Sequence, residues 1–205
     1  MDKALHSDPP KPTADALRAR LGSRSIALVG MPGSGKSSIG RRLAPRLDLP
    51  FVDSDGKIEE AAGGMSIADI FAKHGEAEFR ALEARVIARL LDDGPSVIGT
   101  GGGALLNAGT RALLRERAIV VWLKAEITVL LRRVRRKNDR PLLAGKDPEA
   151  SLRQLLAERE PLYAEASIVV TSREGPHEMV VDSILEAMEH QLARRPADAP
   201  PMGLL

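Results

Sequence analysis

Five short apolar runs punctuate the chain without polar alternation: Ser25 to Val29, Pro50 to Val52, Val97 to Ile98, Ala118 to Leu123 and Ile168 to Val170. Runs of this kind suit strands buried on both faces, as in a parallel sheet. Between them, apolar residues recur at helical spacing in Lys36 to Leu47, Ser66 to Lys73, Glu76 to Leu91, Thr110 to Arg117, Ile127 to Arg136, Pro148 to Leu162 and His177 to Leu192. Strands alternating with helices predict right-handed crossover units and an α/β fold of three layers, with helices flanking a parallel sheet. Ligands in such folds bind beyond the carboxyl ends of the strands, so the chemistry is expected just after each apolar run.

Composition narrows the picture. The chain has 205 residues, 43% of them hydrophobic, enough for one domain with a substantial core. Residues 1–22 and 196–205 mix proline, charge and short side chains, and are expected to be a flexible extension and a flexible tail around a single domain at 23–195. Thirty lysines and arginines stand against 28 acidic residues, a net charge of +2 that gives no whole-chain attraction to nucleic acid or a membrane surface. The aromatics are only Phe51, Phe71, Phe79, Trp122 and Tyr163, too few for base-stacking on single strands. The absence of cysteine excludes disulfides, thiolate metal sites and a cysteine nucleophile. No apolar stretch approaches the roughly 20 residues of a membrane span, and the first residues have no signal-peptide core. A cytoplasmic protein acting on small molecules as a monomer is the expectation.

The strongest chemical signal follows the first run. Gly30-Met31-Pro32-Gly33-Ser34-Gly35-Lys36-Ser37 fits G-x-x-x-x-G-K-[ST], between a predicted strand and a predicted helix. Its glycines let backbone N–H groups turn onto phosphate oxygens, aided by the partial positive charge of the helix start. Gly33, Ser34, Gly35, Lys36, Ser37 and Ser38 are the expected ATP-binding residues, with Lys36 on the β- and γ-phosphates and the Ser37 hydroxyl on Mg²⁺.

Three other features are open on residue type alone. Phe51-Val52-Asp53-Ser54-Asp55 carries carboxylates at i and i+2; they suit a metal and a substrate hydroxyl, or Asp55 is a helix N-cap. Arg80, with Glu76 and Glu83 at helical spacing, and Arg159, between Glu158 and Glu160, are surface ion-pair residues or carboxylate clamps, and the spacing alone favours the former. Leu131 to Lys146 holds seven cations broken by Pro141 and Gly145. A solvated face and a nucleic-acid patch compete there with a lid over ATP, and its place after the fourth run favours the lid, with Arg140 as its catalytic arginine. Finally, Gly101-Gly102-Gly103 follows the third run; three adjacent glycines cost backbone entropy and point to a ligand lying against bare backbone.

Taken in order, Gly-Met-Pro-Gly-Ser-Gly-Lys-Ser, Phe-Val-Asp-Ser-Asp, Gly-Glu-Ala-Glu-Phe-Arg, Gly-Gly-Gly-Ala, Arg-Pro-Leu-Leu and Arg-Glu-Pro-Leu-Tyr resemble the shikimate kinase family of small P-loop enzymes, over about Ile26 to Val170. The resemblance implies MgATP-dependent phosphorylation of the 3-hydroxyl of shikimate, a step toward chorismate and the aromatic amino acids. It implies a five-stranded parallel sheet with a substrate-binding subdomain near 54–95 and a lid near 137–148. By motif, Lys36 and Arg140 stabilise phosphoryl charge, Ser37 and Asp53 serve Mg²⁺, and Asp55 holds or deprotonates the hydroxyl. Arg80 and Arg159 clamp the carboxylate, with Gly101, Gly102 and Gly103 against the ring. Arg133 and Arg173 are the expected nucleotide contacts outside the loop. Two other readings compete. A kinase for another polyol acid such as gluconate is disfavoured by the triple glycine with both arginines. An inactive nucleotide-binding module is disfavoured by the intact Lys36, Ser37, Asp53, Asp55 and Arg140.

Overall fold

The computed structural model describes residues 14–135 and 147–193; Arg140, most of the expected lid and the chain ends lie outside the described residues. Five strands, β1 (Ser25–Val29), β2 (Phe51–Asp53), β3 (Val97–Gly99), β4 (Ala118–Lys124) and β5 (Ile168–Thr171), form one sheet in the order β2-β3-β1-β4-β5. Every pairing is parallel, with Ile26 opposite Val97 and Ile119. The helices are α1 (Ala14–Leu21), α2 (Lys36–Arg46), α3 (Ser54–Ala61), α4 (Ile67–Asp92), α5 (Ala108–Arg117), α6 (Ile127–Arg135), α7 (Pro148–Tyr163) and α8 (His177–Ala193). Among the described residues no helix is long and apolar enough to cross a membrane.

The unbroken apolar runs have a direct cause. Successive strand residues face opposite sides, and both sides are covered. Ile26 and Leu28 join the core beneath α1, α2 and α8, with Ile39, Leu43, Ile184 and Met188. Ala27 and Val29 join the opposite core, with Trp122 of β4 and with Ile87, Leu114, Leu130 and Tyr163 from α4 to α7. A smaller cluster of Ile58, Ile70 and Phe79 holds α3 against the first half of α4. Both chain directions leave the sheet from around β1, so its carboxyl end is the crevice where ligands bind in such sheets.

Two local features differ from the sequence reading, and a third agrees with it. Residues 14–21, assigned to the flexible extension, form α1, whose Leu17 and Leu21 are buried against the core; two leucines at i and i+4 made that helix possible. The two helices read as Ser66 to Lys73 and Glu76 to Leu91 are both present within α4, separated by the non-helical Gly75 (φ 78°, ψ 173°), as the sequence predicts. The aspartates do not share an extended strand. β2 ends at Asp53, whose side chain accepts from the Asp55 backbone N–H at 3.2 Å and so is the N-cap of α3, while Asp55 lies in the first turn.

Candidate active site

The phosphate loop turns from β1 into α2. Gly33 (φ 86°) and Gly35 (φ 100°) hold left-handed conformations that disfavour other residues. Gly35 is also the N-cap of α2 and supplies no capping side chain, and the first turn contains no acidic residue. The helix start is thereby kept for an anion. Lys36 Nζ donates to the carbonyls of Gly30 (2.8 Å) and Met31 (3.2 Å), folding the ammonium back over the loop. Ser37 Oγ donates to Asp53 Oδ2 at 2.8 Å, so hydroxyl and carboxylate oxygens stand together. Arg133 of α6 straps the loop from outside, donating to the Gly33 and Ser34 carbonyls (both 3.3 Å), to Ser172 Oγ (3.0 Å) and to the Arg173 carbonyl (2.8 Å). These residues border a cavity of about 340 Å³ lined by Gly33, Gly35, Lys36, Ser37, Ser38 and Arg133, and on its far wall by Asp53, Asp55, Thr100 and Gly102. Arg173 lines a different hollow between β5 and α8, and its carbonyl accepts from Arg133 beside the loop.

Beyond Asp55 the second half of the site is assembled from three distant segments. The glycine run leaves β3, and Gly101 N–H donates to Ser54 Oγ at 3.0 Å. None of its three residues has a positive φ; crowding explains them. A Cβ on Gly101 would lie 2.5 Å from Glu83 Oε1 and 3.0 Å from Asp55 Oδ1, one on Gly102 would lie 3.0 Å from Pro32 Cδ and 3.2 Å from Arg159 Nη1, and one on Gly103 would lie 2.4 Å from Arg80 Nη2. The run is bare so that charged side chains can close on it. Arg80 is held by Glu83 (2.7 Å) and Glu76 (3.2 Å). Arg159 is 5% exposed, and its Nε, like Glu83 Oε1, is buried without a hydrogen-bond partner. Buried orphans of this kind are rare and ask for a ligand or water. The surface ion-pair reading fails for Arg159, which is in the core; Arg80 does make the pairs with Glu76 and Glu83 that its spacing predicts, but with its side chain only 16% exposed and set against the glycine run.

Glu83 is the residue that sequence reasoning treated only as an ion-pair partner. It is 2% exposed, and burial raises its carboxyl pKa against the opposing charge and hydrogen bond of Arg80, with the Asp55 charge raising it further. Its signal was present: Phe79, Glu83 and Ile87 share one helical stripe, and a carboxylate in an apolar stripe needs a partner inside. Pro32, which the motif treats as neutral, packs against Gly102. His177 at the start of α8 also borders the nucleotide cavity; partial burial, then the charges of Arg42 and Arg133, lower its pKa.

A phosphate loop on the central strand of a parallel sheet, with the buried Arg159 and the largely covered Arg80 beyond a shared carboxylate wall, defines an ATP-dependent P-loop kinase for a small anionic substrate. A family model for shikimate kinase matches residues 32–189. The shikimate kinase of Bradyrhizobium diazoefficiens is 54% identical over 93% of this chain and 91% of its own length, and that of Nitrobacter winogradskyi is 57% identical over 87% and 83%. The structure of shikimate kinase from Acinetobacter baumannii in complex with shikimate matches with a TM-score of 0.80 at 38% identity, covering 85% of this chain and 97% of that one. The chain belongs to the shikimate kinase family.

Proposed function

We propose that the chain transfers the γ-phosphate of ATP to the 3-hydroxyl of shikimate, giving shikimate 3-phosphate and ADP. The observation that carries this reading is the convergence of Arg80, Arg159 and Asp55 on one glycine run that borders the phosphate-loop cavity. Shikimate is a compact anionic polyol: its carboxylate calls for a planar cationic fork, and its hydroxyls call for an acceptor and close backbone donors. Arg80 and Arg159 take the carboxylate, Gly101 to Gly103 take the ring, and Asp55 accepts the hydrogen bond of the attacking hydroxyl and takes up its proton as the new P–O bond forms. Lys36 releases the loop carbonyls for the phosphates and, with Arg140, balances charge on the transferring phosphoryl.

Gly33, Ser34, Gly35, Ser37, Ser38 and Arg133 hold the nucleotide; the placing of Arg173 supports a backbone contact more than a side-chain one. Ser37 Oγ and Asp53 Oδ2 are hard oxygen donors that fit Mg²⁺. Among the described residues no group of three or more acidic or histidine side chains is placed to hold a metal alone, so the ion would be shared with the nucleotide phosphates. When bound, it neutralises developing charge on the β- and γ-oxygens. The apolar cluster under α3 and α4 supports a substrate-binding subdomain near 54–95, and the lid near 137–148 that the family resemblance implies falls mostly outside the described residues. We place the enzyme in the cytoplasm as a monomer.

The test is ADP release from MgATP with shikimate, gluconate or a nucleoside monophosphate supplied in turn. Shikimate alone should stimulate it, and no stimulation overturns the reading. Asp55→Asn should lower kcat by about 10²–10⁴-fold while ATP still binds. Loss of ATP affinity instead would reverse the roles given to Asp53 and Asp55.

A further inference from the structure

Tyr163 has no place in the assignments above, yet it touches both halves of the site. It ends α7, four residues after Arg159, and is 1% exposed. Its ring packs on Trp122 of β4 with centroids 5.8 Å apart. Its hydroxyl donates a short hydrogen bond to the Gly102 carbonyl, and the same oxygen lies 4.0 Å from Met31 Sδ in the phosphate loop. The Met31 carbonyl is in turn an acceptor for Lys36 Nζ.

A ring needed only for packing would do as well as phenylalanine, because burying a hydroxyl is costly unless it is bonded. Here the bond goes to a peptide that no side chain of its own can steady. The Gly102 carbonyl and the Gly103 N–H belong to one planar trans peptide and point in opposite directions, so holding the carbonyl also fixes where that N–H points. Arg159, one helical turn back, brings its Nη1 to 3.2 Å from the space a Gly102 Cβ would fill. Burial pushes the Tyr163 hydroxyl up to about 12, against the opposing charge and hydrogen bond of Arg159. It therefore stays protonated, and a donor, throughout the range in which kinases work.

We propose that Tyr163 is a positioning residue for shikimate: its hydroxyl pins the Gly102 peptide in register with Arg159 and the phosphate loop, so that the substrate meets a preset backbone surface. The proposal rests on the assignment of the glycine run and Arg159 to shikimate. It predicts a selective effect, because the nucleotide contacts run through α2 and Arg133 and do not pass through the Gly102 carbonyl.

The experiment compares the full chain with Tyr163→Phe, Arg159→Ala and Trp122→Phe, reading KM for each substrate, kcat and the thermal unfolding midpoint. Tyr163→Phe keeps the ring on Trp122 and should raise the shikimate KM about ten-fold, since it strands a buried acceptor next to the substrate. Its ATP KM should stay within about two-fold of wild type. Trp122→Phe loosens the same core without touching the hydroxyl, and should lower the unfolding midpoint while leaving the ratio of the two KM values in place. An unchanged shikimate KM in Tyr163→Phe, with Arg159→Ala impaired, overturns the proposal and leaves the site assignment standing. An unchanged shikimate KM in both variants overturns the two together. Equal rises in both KM values, or failure of Tyr163→Phe to fold where Trp122→Phe folds, would make the hydroxyl an ordinary structural bond and overturn the proposal.

Discussion

The two halves of the site are built on opposite terms. On the nucleotide side most of the assigned groups lie within nine consecutive residues, Gly30 to Ser38, joined by Asp53 from the next strand and by Arg133 and Arg140 from farther along the chain, and several bond to one another: Lys36 to two loop carbonyls, Ser37 to Asp53, Arg133 to the loop. On the shikimate side, Arg80, Gly101 to Gly103 and Arg159 come from α4, the loop after β3 and α7, and the space they share contains Glu83 Oε1 and Arg159 Nε buried without partners. A loop that satisfies itself exchanges protein bonds for ligand bonds at little cost to the fold. A cluster of buried, incompletely bonded charge is destabilising where it stands, and it is pre-organised for the anion it receives. Substitutions should therefore damage chemistry alone on the first side, and trade binding against stability on the second.

The largest effect tests the first half. Lys36→Ala should lower kcat by about 10³-fold or more, since an electrostatic contact to the transferring phosphoryl is lost, and the unfolding midpoint should move little, since the carbonyls of Gly30 and Met31 that accept from Lys36 Nζ belong to the loop and not to the core. A large fall in stability would show that the loop depends on its lysine for shape. On the second side, Arg80→Ala should raise the shikimate KM by about 10²-fold, the worth of a charge-assisted fork, and leave the ATP KM in place. Gly103→Ala sharpens the point without removing any charge. The added methyl would stand 2.4 Å from Arg80 Nη2, the far end of a flexible side chain, so the guanidinium swings away and the backbone stays. Its shikimate KM should rise about ten-fold in steady-state assays, and a wild-type value would separate Arg80 from the carboxylate.

The same contrast explains what could be read from the chain. The phosphate loop was legible because its chemistry is a local backbone shape, and shape at that scale needs glycines at fixed positions, as at Gly33 and Gly35. β1, β3 and β4 were legible because burial on both faces leaves unbroken apolar runs, as in Ser25 to Val29; the edge strand β5 carries a similar run although its Val169 is half exposed. Arg80 and Arg159 gave no such signal: Arg80 has Glu76 and Glu83 at helical spacing and Arg159 stands between Glu158 and Glu160, and only the packing of α4 and α7 against the loop after β3 distinguishes a clamp from a solvated pair. The glycine run was legible as a close approach, but its cause was not, because the residues that crowd it are Glu83, Asp55, Pro32, Arg159 and Arg80, between 18 and 70 positions away by the numbering. α1 was passed over because the proline and charge ahead of it masked two buried leucines.

Glu83 tests the claim that the shikimate side costs the fold stability. Its carboxyl is 2% exposed, and burial, the largest influence on it, raises its pKa above the ordinary 4.5 in spite of Arg80. The folded protein then holds this proton at pH values where the unfolded chain has released it, so the stability linked to the proton is fully present below about pH 4.5 and is lost as pH rises through the raised pKa. Glu83→Gln keeps an oxygen that can accept from Arg80 Nη1 and never ionises. The variant should gain on wild type in unfolding midpoint as pH is raised from 4.5 to 8, by at most a few degrees for a domain of this size. At neutral pH its shikimate KM should also rise, because Arg80 is then steered by Glu76 alone among its charged partners. A variant less stable than wild type at every pH would mean that the Arg80–Glu83 pair outweighs the cost of its burial. The two halves of the site would then differ in how they are assembled along the chain, and no longer in what they cost the fold.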